Sequence, residues 1–492
     1  MKSYSMNRRR FISRTAAGIA AFGLPNLLLK GQDVAGKRLN LAIIGANGKG
    51  ISDTQAITLE HNVVALVDVD RRRLDEAAMI RERYHGEANA PLAKSPPKLY
   101  SDFRRMFDEL SGEIDGVIIS TPDHTHFQAA MWALGHKKHI CVQKPLCNFI
   151  SEVRALHEAA REAGVVTQMG NQGRTGEGQR LAKEWIDQGV IGTLQEIKLW
   201  TNRPLWPQKP MRKVLMDCPD YLDWDLWLSG EPHEPYFEYS LSDEERAAHI
   251  YDSYPPAKSN AVHPHNWRGW WKYGSGALGD MGCHIMDATF SILGQVISER
   301  IEARSAPVSE DCGPEWSHLV YHMPPGRHPA LEVTWQDDSR VELTNKPERP
   351  PALAEMSEPS WKKARSGMMF IGSDGVIFDG DAYCASPIVY PLAKYAEVKI
   401  GLRDGVIQKT EPRSPAPGNP QLEWAHCIVH GGKPSSHFDY SCPLTEFVQL
   451  GNLAIRARQT VQWDKEAMRV PNVASANRFI SRPAYREGWK RA

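Results

Sequence analysis

The sequence has no excess of either charge. Its 492 residues carry 59 Lys and Arg against 59 Asp and Glu, a formal net charge of zero. That balance leaves no electrostatic footprint for nucleic acid or for an anionic membrane surface. Metal and haem spacings of cysteine are also missing. The eight cysteines, at 141, 147, 218, 283, 312, 384, 427 and 442, form no C-x-x-C, so no zinc or haem signature appears. They read as scattered buried thiols, although an oxidising compartment would permit disulfides. No apolar run is long enough for a stable membrane span. There is no internal repeat and no low-complexity tail, which argues against solenoids and arrays. What is present is ordinary for a globular protein, 41% hydrophobic and 24% charged residues. The length suffices for two or three domains with a large core.

The first residues differ from the rest. Asn7-Arg8-Arg9-Arg10-Phe11-Ile12 leads into an apolar run from Thr15 to Leu29, with no acidic residue before Asp33. This is the charged region and short apolar region of an export signal, assigned to residues 1–36. Arg8-Arg9-x-Phe11-Ile12 resembles a twin-arginine signal, without a clear A-x-A cleavage site. That route carries proteins already folded, often with a cofactor loaded. The expectation is a periplasmic or otherwise exported cofactor protein.

From Leu39 the chain alternates strand and helix. Leu39 to Ile44 is a short apolar run of the kind that forms a buried parallel strand. Gly45-Ala-Asn47-Gly48-Lys-Gly50 follows, then a helical stretch, then the strand Val63 to Val67 ending at Asp68. This is the layout of a βαβ dinucleotide unit, a glycine turn for the pyrophosphate and an acid for the ribose hydroxyls. The fit is imperfect, because G-x-G-x-x-G needs glycine at position 47. Asn47 tolerates left-handed backbone, but its side chain is expected to crowd the phosphate. Asp68 favours NAD, while Arg71, Arg72 and Arg73 leave NADP open. Two further strands end in Thr121-Pro122-Asp123-His124-Thr125-His126 and in Gln143-Lys144-Pro145. Both ends belong where ligands of open α/β sheets gather. His124 and His126 can equally be packing residues, and Lys144 before a proline is the more suggestive of the two clusters.

Residues 37–166 therefore form a Rossmann domain, and residues 167–492 a second α/β domain with an open, largely antiparallel sheet. The second domain opens on Gly170-Asn-Gln-Gly-Arg174. Residues 203–262 are rich in Pro, Trp, Tyr and Asp with little periodicity, and read as an ordered insertion shaping a cleft. His263 to His284 packs His, Asp, Trp, Tyr and Gly more densely than any other stretch. If it is helical at its end, Asp280 and His284 share a face one turn apart. An acid and an imidazole held together suit proton transfer near neutral pH. Trp267 and Tyr273 offer flat faces with polar edges for a sugar ring. The bland reading is an aromatic core with a buried Asp–His bond.

A Rossmann half ending in x-K-P, then G-N-Q-x-R, then D-x-x-x-H on a helix before a sheet domain, resembles the Gfo/Idh/MocA oxidoreductases, glucose–fructose oxidoreductase and inositol dehydrogenase among them. The resemblance spans roughly residues 38 to 460. It implies that Lys144 binds the reacting hydroxyl near the nicotinamide, that His284 is the general acid/base, and that Asp280 orients the substrate and the His. It implies that Gly45, Asn47, Gly48, Gly50, Asp68, Thr121, Pro122, His126 and Lys144 line a tightly bound NAD, and that Arg174, His263, Trp267, Arg268 and Tyr273 line the substrate. Dimers or tetramers are implied as well. Gln143 stands where the family usually has Glu, which removes one stabiliser of the protonated lysine.

The leading expectation is an NAD(P)-dependent oxidoreductase acting on a ring hydroxyl of a sugar, glycoside or polyol, with a retained cofactor. The alternative is a redox-neutral glycosidase working through a transient keto-sugar. A degenerate sugar-binding protein conflicts with the intact Lys144, Asp280 and His284. A metal set of His263, His265, Asp280 and His284 fits no standard signature, so no metal is expected.

Overall fold

The structure is a computed structural model describing residues 38–87, 95–250, 254–340 and 346–489. The export signal assigned to residues 1–36 lies outside the described residues. Residues 38–492 form a single compact unit.

Six short strands make the first sheet: β1 Asn40–Ile44, β2 Asn62–Val67, β3 Lys98–Tyr100, β4 Gly116–Ile119, β5 His139–Val142 and β6 Thr167–Met169. All neighbours pair in parallel, in the order β3-β2-β1-β4-β5-β6. Apart from the edge strand β3, their side chains are mostly buried on both faces, as in Gly116–Ile119 where every residue is buried. That is why these strands read as continuous apolar runs rather than alternating ones. β3 escaped the sequence reading because it is three residues long, polar and at the sheet edge. β6 falls within the run Val165 to Met169, which reads as the last strand of the βαβ series.

Helices α1 Lys49–Ile57, α2 Arg71–Glu87, α3 Phe103–Leu110, α4 Asp123–Gly135 and α5 Ile150–Ala163 cover the sheet. α3 shows the logic of their formation. Asp102 caps it by accepting from the Arg104 amide at 2.8 Å, and Phe103, Met106, Phe107 and Leu110 fall on one buried stripe.

The second sheet has eight strands: β7 Leu194–Thr201, β10 Arg300–Ser305, β11 Trp316–Met323, β12 Leu331–Asp338, β13 Gly367–Gly372, β14 Gly375–Asp379, β15 Ile388–Tyr390 and β16 Val461–Gln462. A separate hairpin pairs β8 Arg212–Leu215 with β9 Phe237–Ser240. The large sheet is antiparallel except where β12 runs parallel to β7, as its sequence implied. β11 alternates strictly, with Ser317, Leu319, Tyr321 and Met323 buried and the residues between them half-buried. Helices α6 Glu177–Asp187, α7 Gly276–Ile292, α8 Pro420–His430 and α9 Phe438–Ala457 complete the fold. Leu278 of α7 and Leu450 of α9 share a core with Leu319 and Trp335 of the sheet.

α8 does something the sequence reading did not anticipate. Capped by Asn419 and started by Pro420, it returns to the first sheet. Trp424 and Ala425 join Leu39, Leu41, Ile43, Ile118 and Cys141 in one core. The indole donates to the Val166 carbonyl at 3.0 Å. A Cβ on Gly116 would come within 2.9 Å of the Trp424 ring, so only glycine lets the indole lie on β4. Seven of the eight cysteines are buried, Cys218 is exposed, and all are free. Among the described residues no helix is long and apolar enough to cross a membrane.

Candidate active site

The order of the first sheet reverses between β1 and β4, and the crevice beyond those strand ends is where such folds bind ligands. A cleft of about 610 Å³ opens there, lined from Gly45 and Asp68 at one end to Asp280, His284 and Tyr383 at the other.

At the first end the backbone dominates. Gly45 has φ +80°, and a Cβ would lie 2.7 Å from the Ser120 carbonyl. A Cβ on Gly50 would come within 2.0 Å of the Gly45 oxygen. Both positions need glycine for close approach, not merely for flexibility. Gly48, at φ +60°, precedes α1 with no side-chain cap on the helix, so first-turn amides of α1 other than that of Gly50, which bonds the Asn47 carbonyl at 3.1 Å, remain for an anion. Asp68 ends β2. Burial pushes its carboxyl up, while the Asp70 amide, His263 and Arg73 pull the other way. It accepts from the Asn47 amide at 3.3 Å and the Asp70 amide at 3.1 Å. The hydroxyl of Thr121 is buried without a partner in the cleft wall. Open amides, a cradle that a Cβ would fill, a carboxylate and an orphaned hydroxyl fit a dinucleotide.

Asn47 lines the cleft and is tied back to the next helix. Its side-chain amide donates to the Arg73 carbonyl and to Glu76, each at 2.9 Å. Its oxygen accepts from the Gly48 amide at 2.6 Å. The missing glycine thus serves as a tie between the turn and α2.

At the other end side chains dominate. α7 carries Asp280 and His284 one turn apart, as the spacing implied. Lys144, at the end of β5, donates to Asp280 Oδ1 at 2.9 Å and to the Asp280 carbonyl at 2.8 Å. Arg268 reaches the same carboxylate oxygen at 3.3 Å. Burial pushes the Asp280 carboxyl up, but the charges of Lys144, Arg268 and Arg203 overwhelm it and hold the group well below the usual carboxylate range. His284 is buried, and its Nδ1 has no hydrogen-bond partner. Burial, with the nearby Lys144 charge, holds its imidazole well below the ordinary value, so it is neutral and carries an unprotonated ring nitrogen. Tyr383 meets its ring edge-on at 4.9 Å.

Asp123, the first residue of α4, lines the cleft opposite. Burial pushes its carboxyl up to about 7, against the pull of Lys144 and Arg268. Gln143 faces away from the lysine and donates to Asp53 at 3.0 Å. Asp53 is fully buried and also receives Ser120 at 2.6 Å, Gln421 at 2.7 Å and Lys49.

Gly45, Asn47, Gly48, Asp68, Thr121, Pro122, Lys144, His263, Trp267, Arg268, Asp280 and His284 line the cleft, and Gly50 buttresses the turn. Three expected residues do not line it. His126 lies behind the wall, its ring held between the Pro145 carbonyl at 2.8 Å and the Thr121 carbonyl at 2.9 Å. Arg174 lies over the Tyr440 ring at 4.1 Å and donates to the Ser435 carbonyl. Tyr273 is wholly buried, its hydroxyl on Glu234 and its ring 4.7 Å from Trp227. His263 lies at the dinucleotide end, 3.2 Å from Asp70, rather than beside the lysine. His124 packs between the Tyr273 and Trp227 carbonyls. Among the described residues no group of three His, Cys, Asp or Glu is placed to hold a metal.

The sequence reading missed Arg203, Trp206, Tyr254 and Tyr383, all in the cleft wall. The first three come from the aperiodic insertion, whose role as a cleft former holds. Tyr383 comes from the turn after β14, in a stretch with no motif.

A parallel sheet with its crevice at the switch point and Lys144 at one strand end, joined to an α/β domain whose helix brings Asp280 and His284 to that lysine, defines a two-domain Rossmann framework. Residues 39–171 match the model of the Gfo/Idh/MocA oxidoreductase family, NAD-binding Rossmann fold. Residues 251–340 match that family's C-terminal alpha/beta domain. These two parts of the chain are thus similar to the two domains of Gfo/Idh/MocA family oxidoreductases. Levoglucosan dehydrogenase of Pseudarthrobacter phenanthrenivorans is 27% identical over 216 residues, 42% of each chain. The scyllo-inositol 2-dehydrogenase (NAD(+)) of Bacillus subtilis is 40% identical over 117 residues, 23% of this chain and 34% of that protein. The alignments thus span less than half the length of these curated relatives. The WlbA dehydrogenase of Bordetella pertussis, solved with NADH and UDP-GlcNAcA, superposes with TM-score 0.55 at 14% identity, over 87% of this chain and 99% of that one. At that identity the likeness concerns the fold.

Proposed function

We propose that this protein is an NAD-dependent oxidoreductase that removes hydride from a ring hydroxyl of a sugar, glycoside or polyol and retains its cofactor. The observation that carries the reading is the bond from Lys144 Nζ to Asp280 Oδ1 at 2.9 Å, with His284 one turn along the same helix and all three in the wall of one cleft. The nicotinamide, when bound, supplies the carbon that accepts hydride. The chain does the rest. Lys144 holds an ammonium where oxygen gains alkoxide character. Ionised Asp280 fixes that ammonium in place. Neutral His284 accepts the hydroxyl proton as the C–H bond breaks. Trp206 and Trp267 give the sugar flat apolar walls.

Two finer readings go with this one. The Arg8-Arg9-x-Phe11-Ile12 pattern supports export through the twin-arginine route to the periplasm. Free nicotinamide cofactor is scarce there, which supports retention and keeps the redox-neutral glycosidase as the alternative. The half-buried face of β10 to β12, with His318, Val320 and His322, supports a homodimer or tetramer.

The deciding experiment is purification without added nucleotide, denaturation, and mass spectrometry of whatever is released. Near one NAD per chain, followed by reduction of that NAD on adding sugars, supports the dehydrogenase. Release of an aglycone with no net reduction supports the glycosidase. A chain that neither carries nor binds a dinucleotide overturns both.

A further inference from the structure

The sugar end of the cleft holds more positive charge than the hydride chemistry uses. Lys144 and Arg268 are both occupied by the Asp280 carboxylate. Arg203 lines the same cavity and is not so occupied. Among the described residues its one side-chain hydrogen bond runs from Nη1 to Asn202 Oδ1 at 2.6 Å. The remaining donors of its fork face no protein acceptor there. Apart from Asp280, the carboxyl lining this end among the described residues is Asp123, which burial keeps near half-protonated at neutral pH.

The arginine is also firmly placed. It begins the turn that carries Trp206, and the Trp206 indole donates to Gln208 at 3.0 Å. Gln208 in turn donates to the Pro314 carbonyl at 2.8 Å. Arg268 lies across the turn, 4.3 Å over the Trp267 ring and 5.7 Å from that of Trp206. Two guanidinium groups, that of Arg268 set between two indoles, thus line one cavity. Arg203 shares the single Asp280 carboxylate with two other cations and makes no direct ion pair of its own; a planar oxyanion that takes two parallel N–H bonds offsets the cost of so much partly buried positive charge.

We propose that the substrate carries a carboxylate, as in a uronic acid, and that Arg203 receives it. This rests on the reading of the cleft as a sugar dehydrogenase site, and names its substrate class. Arg203 acts here as a specificity residue and takes no part in proton or hydride transfer.

The test uses the NAD-loaded protein and matched pairs, D-glucuronate with D-glucose and D-galacturonate with D-galactose, and the same pairs as methyl glycosides. Calorimetry reads affinity, and absorbance of reduced nicotinamide reads turnover. In at least one pair the acid should bind about tenfold or more tightly than its neutral parent. That advantage should collapse in R203Q and survive in part in R203K, with melting temperature and NAD content as controls for folding. If no acid outbinds its parent, the proposal fails. It fails equally if R203Q loosens NAD rather than the acid. Turnover of neutral sugars without preference removes this proposal and leaves the dehydrogenase reading standing, whereas a chain without a dinucleotide site removes both.

Discussion

The two ends of the cleft are built from different materials. The dinucleotide end is made of backbone, with tight glycines, open helix amides and one carboxylate, all within residues 45–68. The sugar end is made of side chains drawn from residues 144, 203, 268, 280, 284 and 383. Backbone geometry is set by local steric rules and tolerates change at side chains tied back to a neighbouring helix, as Asn47 shows. Side-chain chemistry depends on distant segments meeting within hydrogen-bond reach, and single atoms then matter.

That contrast makes unequal demands on substitution. The largest effect should fall at the sugar end. His284→Ala is expected to slow hydride transfer by about 10²–10⁴-fold while leaving the dinucleotide in place. Single-turnover reduction of the bound cofactor measures the first and mass spectrometry the second. An undiminished rate would end the assignment of His284 as base and blur the division between the two ends.

A smaller effect should appear at Asp123. Its carboxyl is raised from an ordinary 3.8 to about 7 in the fold. The stability it contributes is therefore fully present below pH 3.8 and is lost as pH rises through 7. Between pH 5 and 8 the wild type should lose more melting temperature than Asp123→Asn, by about 2 °C or more. Asp337 and Asp379 are also raised to about 7, so only the difference between the two proteins isolates Asp123. Equal losses would show that the cleft does not burden this carboxyl.

The smallest effect belongs to the dinucleotide end. Asn47→Gly restores the glycine fingerprint, yet it should change NAD affinity by less than about threefold, because the amide already points to α2. Loss of its bonds to Arg73 and Glu76 should cost about 1 kcal/mol of stability. A large gain in NAD affinity would show that the side chain does obstruct the phosphate.

The same contrast explains what could be read from the sequence. Strands buried on both faces announce themselves as apolar runs, so five of the six strands of the first sheet were legible and the polar edge strand was not. The i,i+4 pair on α7 and the lysine at the end of β5 were legible because spacing and topology place them. Arg174, Tyr273 and His126 misled because each sits beside a motif, and sequence does not say which way a side chain leaves the backbone. Arg174 leaves toward Tyr440, more than 260 residues away in the chain. Arg203, Trp206 and Tyr254 were hidden in an insertion without period, where cleft walls are set by packing alone.

Trp424 has a consequence for the order of events in synthesis. A ribosome that has made the first 170 residues has made every strand of the first sheet, but not the indole that lies on Gly116 beside Leu39 and Cys141. One face of the nucleotide-binding half must stay uncovered until some 250 further residues have emerged. The two halves then mature together near the end of translation, and a shortened chain that retains every glycine of the turn would still present an unfinished core.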